Sequence, residues 1–289
     1  MSIKHVLASL TLLAGSVLGA TVAANERAFD YVQIQVPGSV RTIAYGINAA
    51  GHVVGNYLGG DGVDGAFIWR GGEDYEAFVI PDAVWTEARG IGPGGEVVGI
   101  YFMDGQMRGF RRSADGAISS IDYQGKKHTM LIKVSPAGEV VGCHHDDGFT
   151  NMNGFVLGPG GFRNYHVTDT MHNGISPDGG TIVGHQVGAP TQGYVITRGV
   201  PELFSVPFSL LTQAWDINAG REVVGVYKQA DNTFRGFLRS KSGEFTTLQY
   251  PGSLHTRAFG INSAGDIVGF YVKDGQTWGY LISRSRRLN

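Results

Sequence analysis

The sequence predicts an all-β fold: a six-bladed β-propeller with four strands per blade, its ring closed by an N-terminal strand that completes the last blade. Two observations carry that expectation. The stretch TRAFGINSAGDIVGFY from Thr256 recurs as TIAYGINAAGHVVGNY from Thr42, TEARGIGPGGEVVGIY from Thr86, TMLIKVSPAGEVVGCH from Thr129 and TQAWDINAGREVVGVY from Thr212. A sixth copy, TMHNGISPDGGTIVGHQ from Thr170, carries one extra residue, and the anchor threonines fall 44, 43, 41, 42 and 44 residues apart. A period of about forty residues marks one supersecondary unit per repeat. The second observation is that the last repeat stops after three strands, whereas Phe29 to Gly38 (FDYVQIQVPG) resembles the fourth-strand segment FTTLQYPG that ends at Gly252.

Taken from the N-terminus, Lys4 and His5 precede an apolar run from Val6 to about Ala20 and then small residues through Ala24. That order is the charged, hydrophobic, small-residue sequence of a secretory signal, and the run is short for a membrane span. Cleavage near Ala24 is expected, leaving residues 25–289 as one propeller domain; an uncleaved anchor or a buried helix is the alternative. The mature protein is then expected to be secreted or periplasmic, monomeric, and without a stable membrane anchor.

Within a repeat, Thr256 to Ile261 alternates small with larger residues and ends in a turn at Asn262 to Gly265, which is the pattern of a half-buried strand. The apolar run Ile267 to Tyr271 makes a second strand, an Asp-Gly hairpin follows, and Trp278 to Ile282 makes a third. Equivalent third strands begin at Phe67, Phe110, Phe155, Tyr194 and Phe237. Fourth strands such as Phe245 to Tyr250 lead through Pro251 and Gly252 to the next anchor threonine. Four strands per unit of this length are the signature of a propeller blade.

Composition narrows function only by exclusion. Glycine supplies 45 of 289 residues without a triplet period, which points to many tight turns and away from collagen. Only 17% of residues are charged and the formal net charge is −2, so there is no basic footprint for nucleic acid. Cys143 is the only cysteine, so no intramolecular disulfide can form, and its apolar sequence neighbourhood suits a buried, inert thiol.

The pattern GIN, two residues, G, then VVG and an aromatic, with GF or AF third strands and TTLQYPGSLHT, resembles the HAF-type extracellular repeats of exported bacterial proteins. The resemblance covers roughly residues 28 to 282 and implies a secreted propeller-like array. It implies no common catalytic residues. A histidine often precedes the third-strand Ala-Phe or Gly-Phe in that family; here that place holds Asp64, Arg108, Asn153, Gln192, Arg235 and Trp278.

Chemistry is sought where one copy breaks the pattern. The aromatic that closes the second strand is Tyr57, Tyr101, Tyr227 and Tyr271, but His144 and Gln186 in the third and fourth repeats. The second residue after the anchor is Ala44, Ala88, Ala214 and Ala258, but Leu131 and His172 in those same repeats. Strand order is expected to bring His128, His144, His166, Asp169 and His172 to one mouth of the propeller, with His145, Asp146 and Asp147 nearby. Imidazole and carboxylate together suit acid–base work or a divalent metal, although no HExxH, CxxC or EF-hand spacing supports a metal. The alternative is that His144 is an altered packing residue and the HHDD run a solvated hairpin tip.

Two classes of function follow. In the first, a polar small molecule or glycan binds at the mouth, ringed by Arg41, Trp85, Glu87, Arg89, Asp169 and Trp215, with Gln213 and Phe259 beside them; mixed charge and aromatic faces suit a sugar or small acid. Trp215 and Phe259 could instead simply plug the axis. In the second, a lyase or hydrolase uses His144 or His172 as base, Arg257 or Arg89 as cation, and Tyr101 or His128 as acid. A purely structural or interaction protein is the third reading. The sequence names no cofactor and leaves the metal state unknown.

Overall fold

The anchor threonine turns the chain from one repeat into the next. Thr86 Oγ1 accepts the N–H of Ile80 at 3.0 Å, Thr129 that of Tyr123 at 2.8 Å, Thr212 that of Val206 at 3.0 Å and Thr256 that of Tyr250 at 2.9 Å. Each bond satisfies a backbone donor six residues back and folds the link between repeats into a tight corner. Thr170 departs from the series and accepts from Gly154 N at 3.3 Å. The structure, a computed structural model, describes residues 29–284; the expected signal segment lies outside the described residues.

Strand β1 (Tyr31–Ile34) precedes the first repeat, β2 (Ser39–Ile47), β3 (Val53–Gly59), β4 (Asp64–Trp69) and β5 (Tyr75–Phe78). The second holds β6 (Trp85–Ile91), β7 (Val97–Met103), β8 (Gln106–Arg112) and β9 (Ile118–Ile121). The third holds β10 (His128–Val134), β11 (Val140–His145), β12 (Asn153–Gly158) and β13 (Gly161–Thr168), and the fourth β14 (Thr170–Ile175), β15 (Thr181–Gln186), β16 (Gln192–Thr197) and β17 (Val200–Phe204). The fifth holds β18 (Leu211–Ile217), β19 (Val223–Lys228), β20 (Phe234–Arg239) and β21 (Phe245–Leu248); the last has β22 (His255–Ile261), β23 (Ile267–Lys273) and β24 (Gln276–Ile282). The first strands of the repeats lie innermost, each beside the next, with β22 again beside β2. The protein is an all-β propeller.

The expectation of six separate four-stranded sheets is corrected. Four repeats form their own four-stranded sheets, while the first and last join into one eight-stranded sheet. In it β1 pairs antiparallel with β24, from Tyr31 opposite Ile282 to Ile34 opposite Gly279, and β24 meets β2 through a parallel bridge between Arg41 and Thr277. The physical reason is the short link from β1 to β2, which lays the start of β2 along the start of β24. A similar parallel bridge, Thr191 to Leu211, touches the fourth and fifth repeats without merging their sheets.

The core lies between sheets. Val54, Ala66 and Ile68 of the first repeat pack on Ala88, Ile91 and Phe110 of the second, and Val183 and Phe204 of the fourth on Ala214, Ile217 and Phe237 of the fifth. Two Asp-Gly hairpins, Asp104-Gly105 and Asp274-Gly275, have positive φ at both residues, the conformation whose twist matches the flanking strands.

Every first strand carries a bulge at the same place, between Ala44 and Gly46, Ala88 and Gly90, Leu131 and Lys133, His172 and Gly174, Ala214 and Asp216, and Ala258 and Gly260. The glycine of each VVG makes room for it. A Cβ on Gly99 would stand 2.0 Å from the carbonyl oxygen of Glu87, and one on Gly225 2.1 Å from that of Gln213. No side chain fits there.

Candidate ligand site on the central axis

The skipped residue at each bulge is Tyr45, Arg89, Ile132, Asn173, Trp215 or Phe259, and these six, one from every repeat, line a single pocket. Lys133 completes the lining, and the cavity between these side chains is narrow, about 10 Å³, room for about one water-sized group. A bulge re-aims a side chain, so one backbone irregularity repeated around a ring turns six side chains toward one axis.

The walls are mostly aromatic. Tyr45 and Phe259 rings lie 5.3 Å apart, and Trp215 meets Phe259 edge-on at 4.7 Å. The Arg89 guanidinium covers the Tyr45 ring at 3.9 Å and hydrogen-bonds Glu87 across one rung of its own strand. Burial pushes the Tyr45 phenol well above its ordinary range, so it stays protonated.

Lys133 and Asp216 form the polar end. Their ammonium nitrogen and carboxylate oxygen Oδ2 lie 2.5 Å apart, with Asp216 fully buried. Asp216 also accepts the N–H groups of Ile217 and Ile261, both at 2.9 Å. Burial raises its carboxyl pKa, against the lowering effect of Lys133. These two residues escaped the sequence reading although a signal was present: they stand in a column that is Gly46, Gly90, Gly174 and Gly260 in the other repeats. Tyr45 and Asn173 were missed as well, because their column varies in every repeat.

His185 joins the pocket from behind. Its Nδ1 accepts from the Asn173 amide at 3.0 Å, that amide also donates to Ala214 O at 2.7 Å, and His185 Nε2 lies 3.2 Å from the Gln213 amide. Burial pulls its pKa down to about 4, so the ring is neutral at pH 7.

Of the residues proposed from sequence, Arg89 and Trp215 line the pocket and Glu87 supports Arg89. Arg257 is not part of the pocket lining; its guanidinium lies over Phe234 at 4.0 Å and Phe270 at 5.5 Å. Arg41 is held by Asp64 at 3.0 Å and Asn56 at 3.1 Å. Trp85 stacks on Phe102 at 5.7 Å, and Asp169 is exposed in the turn between β13 and β14, with φ 59°. Tyr101 is directed outward and donates to Ser120 Oγ at 2.9 Å.

The expected convergence of histidines is corrected. His172 is sealed between the third and fourth repeats, where the position that is alanine in four other repeats puts its ring against Gly154. Tyr194 donates to Met171 O at 2.8 Å and so accepts from His172 Nδ1–H at 2.5 Å. His144 is buried against Tyr123, ring centroids 4.0 Å apart, on the opposite side of its strand from His145; burial lowers both His144 and His172 to about 4. Period-two alternation separates the pair His144 and His145. His128 Nδ1 accepts Met107 N–H at 3.0 Å, which leaves the proton on Nε2 to face Asp147 Oδ1 at 3.2 Å. His255 accepts Phe234 N–H in the same way at 3.2 Å, so this histidine position latches one repeat to the previous one. The side chain of His166 lies outside the described residues.

Among the described residues no group of three or more His, Cys, Asp or Glu side chains is placed to hold a metal ion. Cys143 is buried, and burial pushes its thiol up to about 12, so it is protonated and unreactive at neutral pH. No helix among the described residues is long and apolar enough to cross a membrane.

No family model and no curated protein matches the chain. Solved structures do. A gluconolactonase from Xanthomonas campestris superposes with a TM-score of 0.58 at 16% identity, over 90% of this chain and 92% of that one. TolB from Acinetobacter baumannii gives 0.58 at 14% over 86% and 65%, and virginiamycin B lyase from Staphylococcus aureus 0.53 at 13% over 88% and 99%. At these identities the likeness is one of fold, and it supports the propeller.

Proposed function

We propose that this protein is an exported propeller that binds a small polar molecule in its axial pocket. The observation that carries the reading is the convergence of one bulge residue from every repeat on a single pocket. Aromatic walls with a few fixed polar groups are the usual make-up of a small-molecule site; the cavity of about 10 Å³ admits only the polar tip of a ligand whose body stays outside it, toward the mouth. The two halves of the eight-stranded sheet serve as separate blades in this reading, since one bridge joins β2 to β24, and the ring then has six-fold pseudosymmetry. Export rests on the N-terminal segment and on the resemblance to HAF-type repeats; N-terminal sequencing of the protein recovered outside the cytoplasm tests it.

Propeller enzymes and binding proteins share this fold, so the choice between them rests on the site. Binding is favoured because the histidines proposed as bases are sealed into packing or latch positions. Calorimetric titration with a panel of neutral and charged metabolites, repeated on Trp215→Ala and Tyr45→Ala, is the test. Binding that persists unchanged in both variants places the site elsewhere and overturns the reading.

A further inference from the structure

We propose that one face of the ring docks a partner protein through a cationic segment with apolar anchors, at a surface separate from the axial pocket. The links that lead into the first strands turn at 36–39, 80–83, 123–126, 206–209 and 250–253, each closed by a backbone N–H to carbonyl bond of 3.0–3.3 Å. The third residue of every such turn has positive φ, between 62° and 76°. Gly38, Gly125 and Gly252 fill that place in three repeats and Asp82 in a fourth, whereas the fifth repeat puts Phe208 there, at 62° and wholly exposed. A bulky side chain in the left-handed region is strained, and a ring that stands entirely in solvent gains no packing to offset the strain. Such a residue points to a contact outside the chain.

Phe208 does not stand alone. Two residues later comes Leu210, 50% exposed, and the same place in other repeats holds Leu254 at 58%, Val40 at 55% and Val84 at 67%. These belong to the fifth, last, first and second repeats, whose first strands are neighbours around the ring, so they follow one another along an arc of one face. At the other ends of the strands the turns show no large exposed apolar side chain among the described residues, and carry ion pairs such as Arg221 with Asp178 and Arg284 with Glu222. Apolar side chains gathered on one face around a protruding aromatic have the make-up of an interface core.

The rim selects the charge of the partner. Leu210, Leu254 and Val84 donate their N–H groups to Lys228 O, Val272 O and Phe102 O, all at 2.8 Å, which ties each link to the hairpin beside it. In these four repeats the links and hairpins expose Asp61, Asp82, Asp104, Asp231 and Asp274, against Lys273 as the one exposed cation. The half-buried cations are turned inward: Arg41 to Asp64, Arg108 to Asp122, Arg235 to Leu254 O, and Lys228 over the Phe234 ring. An acidic rim beside an apolar arc suits lysine or arginine flanking an apolar side chain. Two copies of this face would set aspartates against aspartates, and an anionic lipid surface would meet the same repulsion.

The probes are three short synthetic peptides of equal length, alternating Leu with Lys, Leu with Glu, and Ser with Lys, with vesicles of neutral and of anionic phospholipid in parallel. Binding to the whole protein is read by calorimetry and sedimentation. The Leu-Lys peptide is expected to bind at least roughly tenfold more tightly than either control, and to weaken by a similar factor in Phe208→Gly and in the double variant Leu210→Ser with Leu254→Ser. Phe208→Gly is also expected to keep or raise the melting temperature, because it relieves the positive φ and gives up no internal contact. A lower melting temperature means that Phe208 packs within the chain, and overturns the proposal. Trp215→Ala is expected to leave the peptide affinity unchanged; loss of the peptide there, with Phe208→Gly still binding, moves the contact to the axial pocket and overturns it as well. Equal binding of the Leu-Glu peptide, tighter binding to either vesicle, a dimer that Phe208→Gly abolishes, or no binding of the Leu-Lys peptide at all is each a contrary result.

Discussion

Lys133 of the third repeat reaches past the fourth to Asp216 of the fifth, with Nζ and Oδ2 2.5 Å apart beside the propeller axis. A buried pair of this kind is a weak source of net stability, yet removing one partner strands a charge away from water. Asp216→Ala also releases Ile261 N–H from its acceptor and is expected to cost about 3–5 kcal/mol. Lys133→Met is expected to cost less, because the raised pKa of Asp216 lets it take a proton in place of the lost cation. Urea unfolding of the two variants gives the comparison, and equal small losses in both are the contrary result.

The buried histidines make stability depend on mildly acidic pH. His144, His172 and His185 sit at about 4 through burial, below the ordinary 6.5. The unfolded chain therefore takes up protons between pH 6.5 and 4 that the folded chain refuses, so stability is complete above 6.5 and falls as pH drops toward 4. The slope is at most about 1.4 kcal/mol per pH unit for each histidine. Melting temperatures across this range should fall in acid and stay flat from 7 to 8. His144→Tyr, which restores the tyrosine of four other repeats, should shallow the slope.

Tyr194 and His172 replace the phenylalanine and alanine that several repeats carry, and they are bonded to each other. Tyr194→Phe alone removes the acceptor of the His172 Nδ1–H bond and is expected to cost about 1–3 kcal/mol. The double variant His172→Ala with Tyr194→Phe removes both polar groups together and should cost less than the sum of the single changes. Strict additivity in denaturant titrations is the contrary result.

The architecture was legible because one period governs it, and the closing strand because FDYVQIQVPG copies a fourth-strand segment. The sheet count was not, since one parallel bridge at Arg41 and Thr277 has no sequence signature. For the site, the broken columns at His144 and His172 mark packing locally rewritten with polar groups. Tyr45 and Asn173 stand in a column that differs in every repeat, so there is no pattern for them to break. Lys133 and Asp216 do break a glycine column, but their pairing across the fourth repeat belongs to ring geometry and not to sequence distance.

Removing residues 29–38 deletes β1 and bares the edge of β24. An exposed strand edge invites pairing with another chain, so this truncation should lower the melting temperature and yield oligomers on a sizing column. A monomer with an unchanged transition contradicts the closure.

The clasp also sets a timetable. Gln33 receives the Tyr271 hydroxyl from 238 residues away at 2.6 Å, and β1 has no partner until β24 exists. The earliest-made of the described strands is thus the last to be paired, and the loop it closes spans nearly all the described residues. Contacts so distant in sequence are slow to form, because their entropy is lost before the bonds compensate for it. The ring therefore stays open until its final strand has been made.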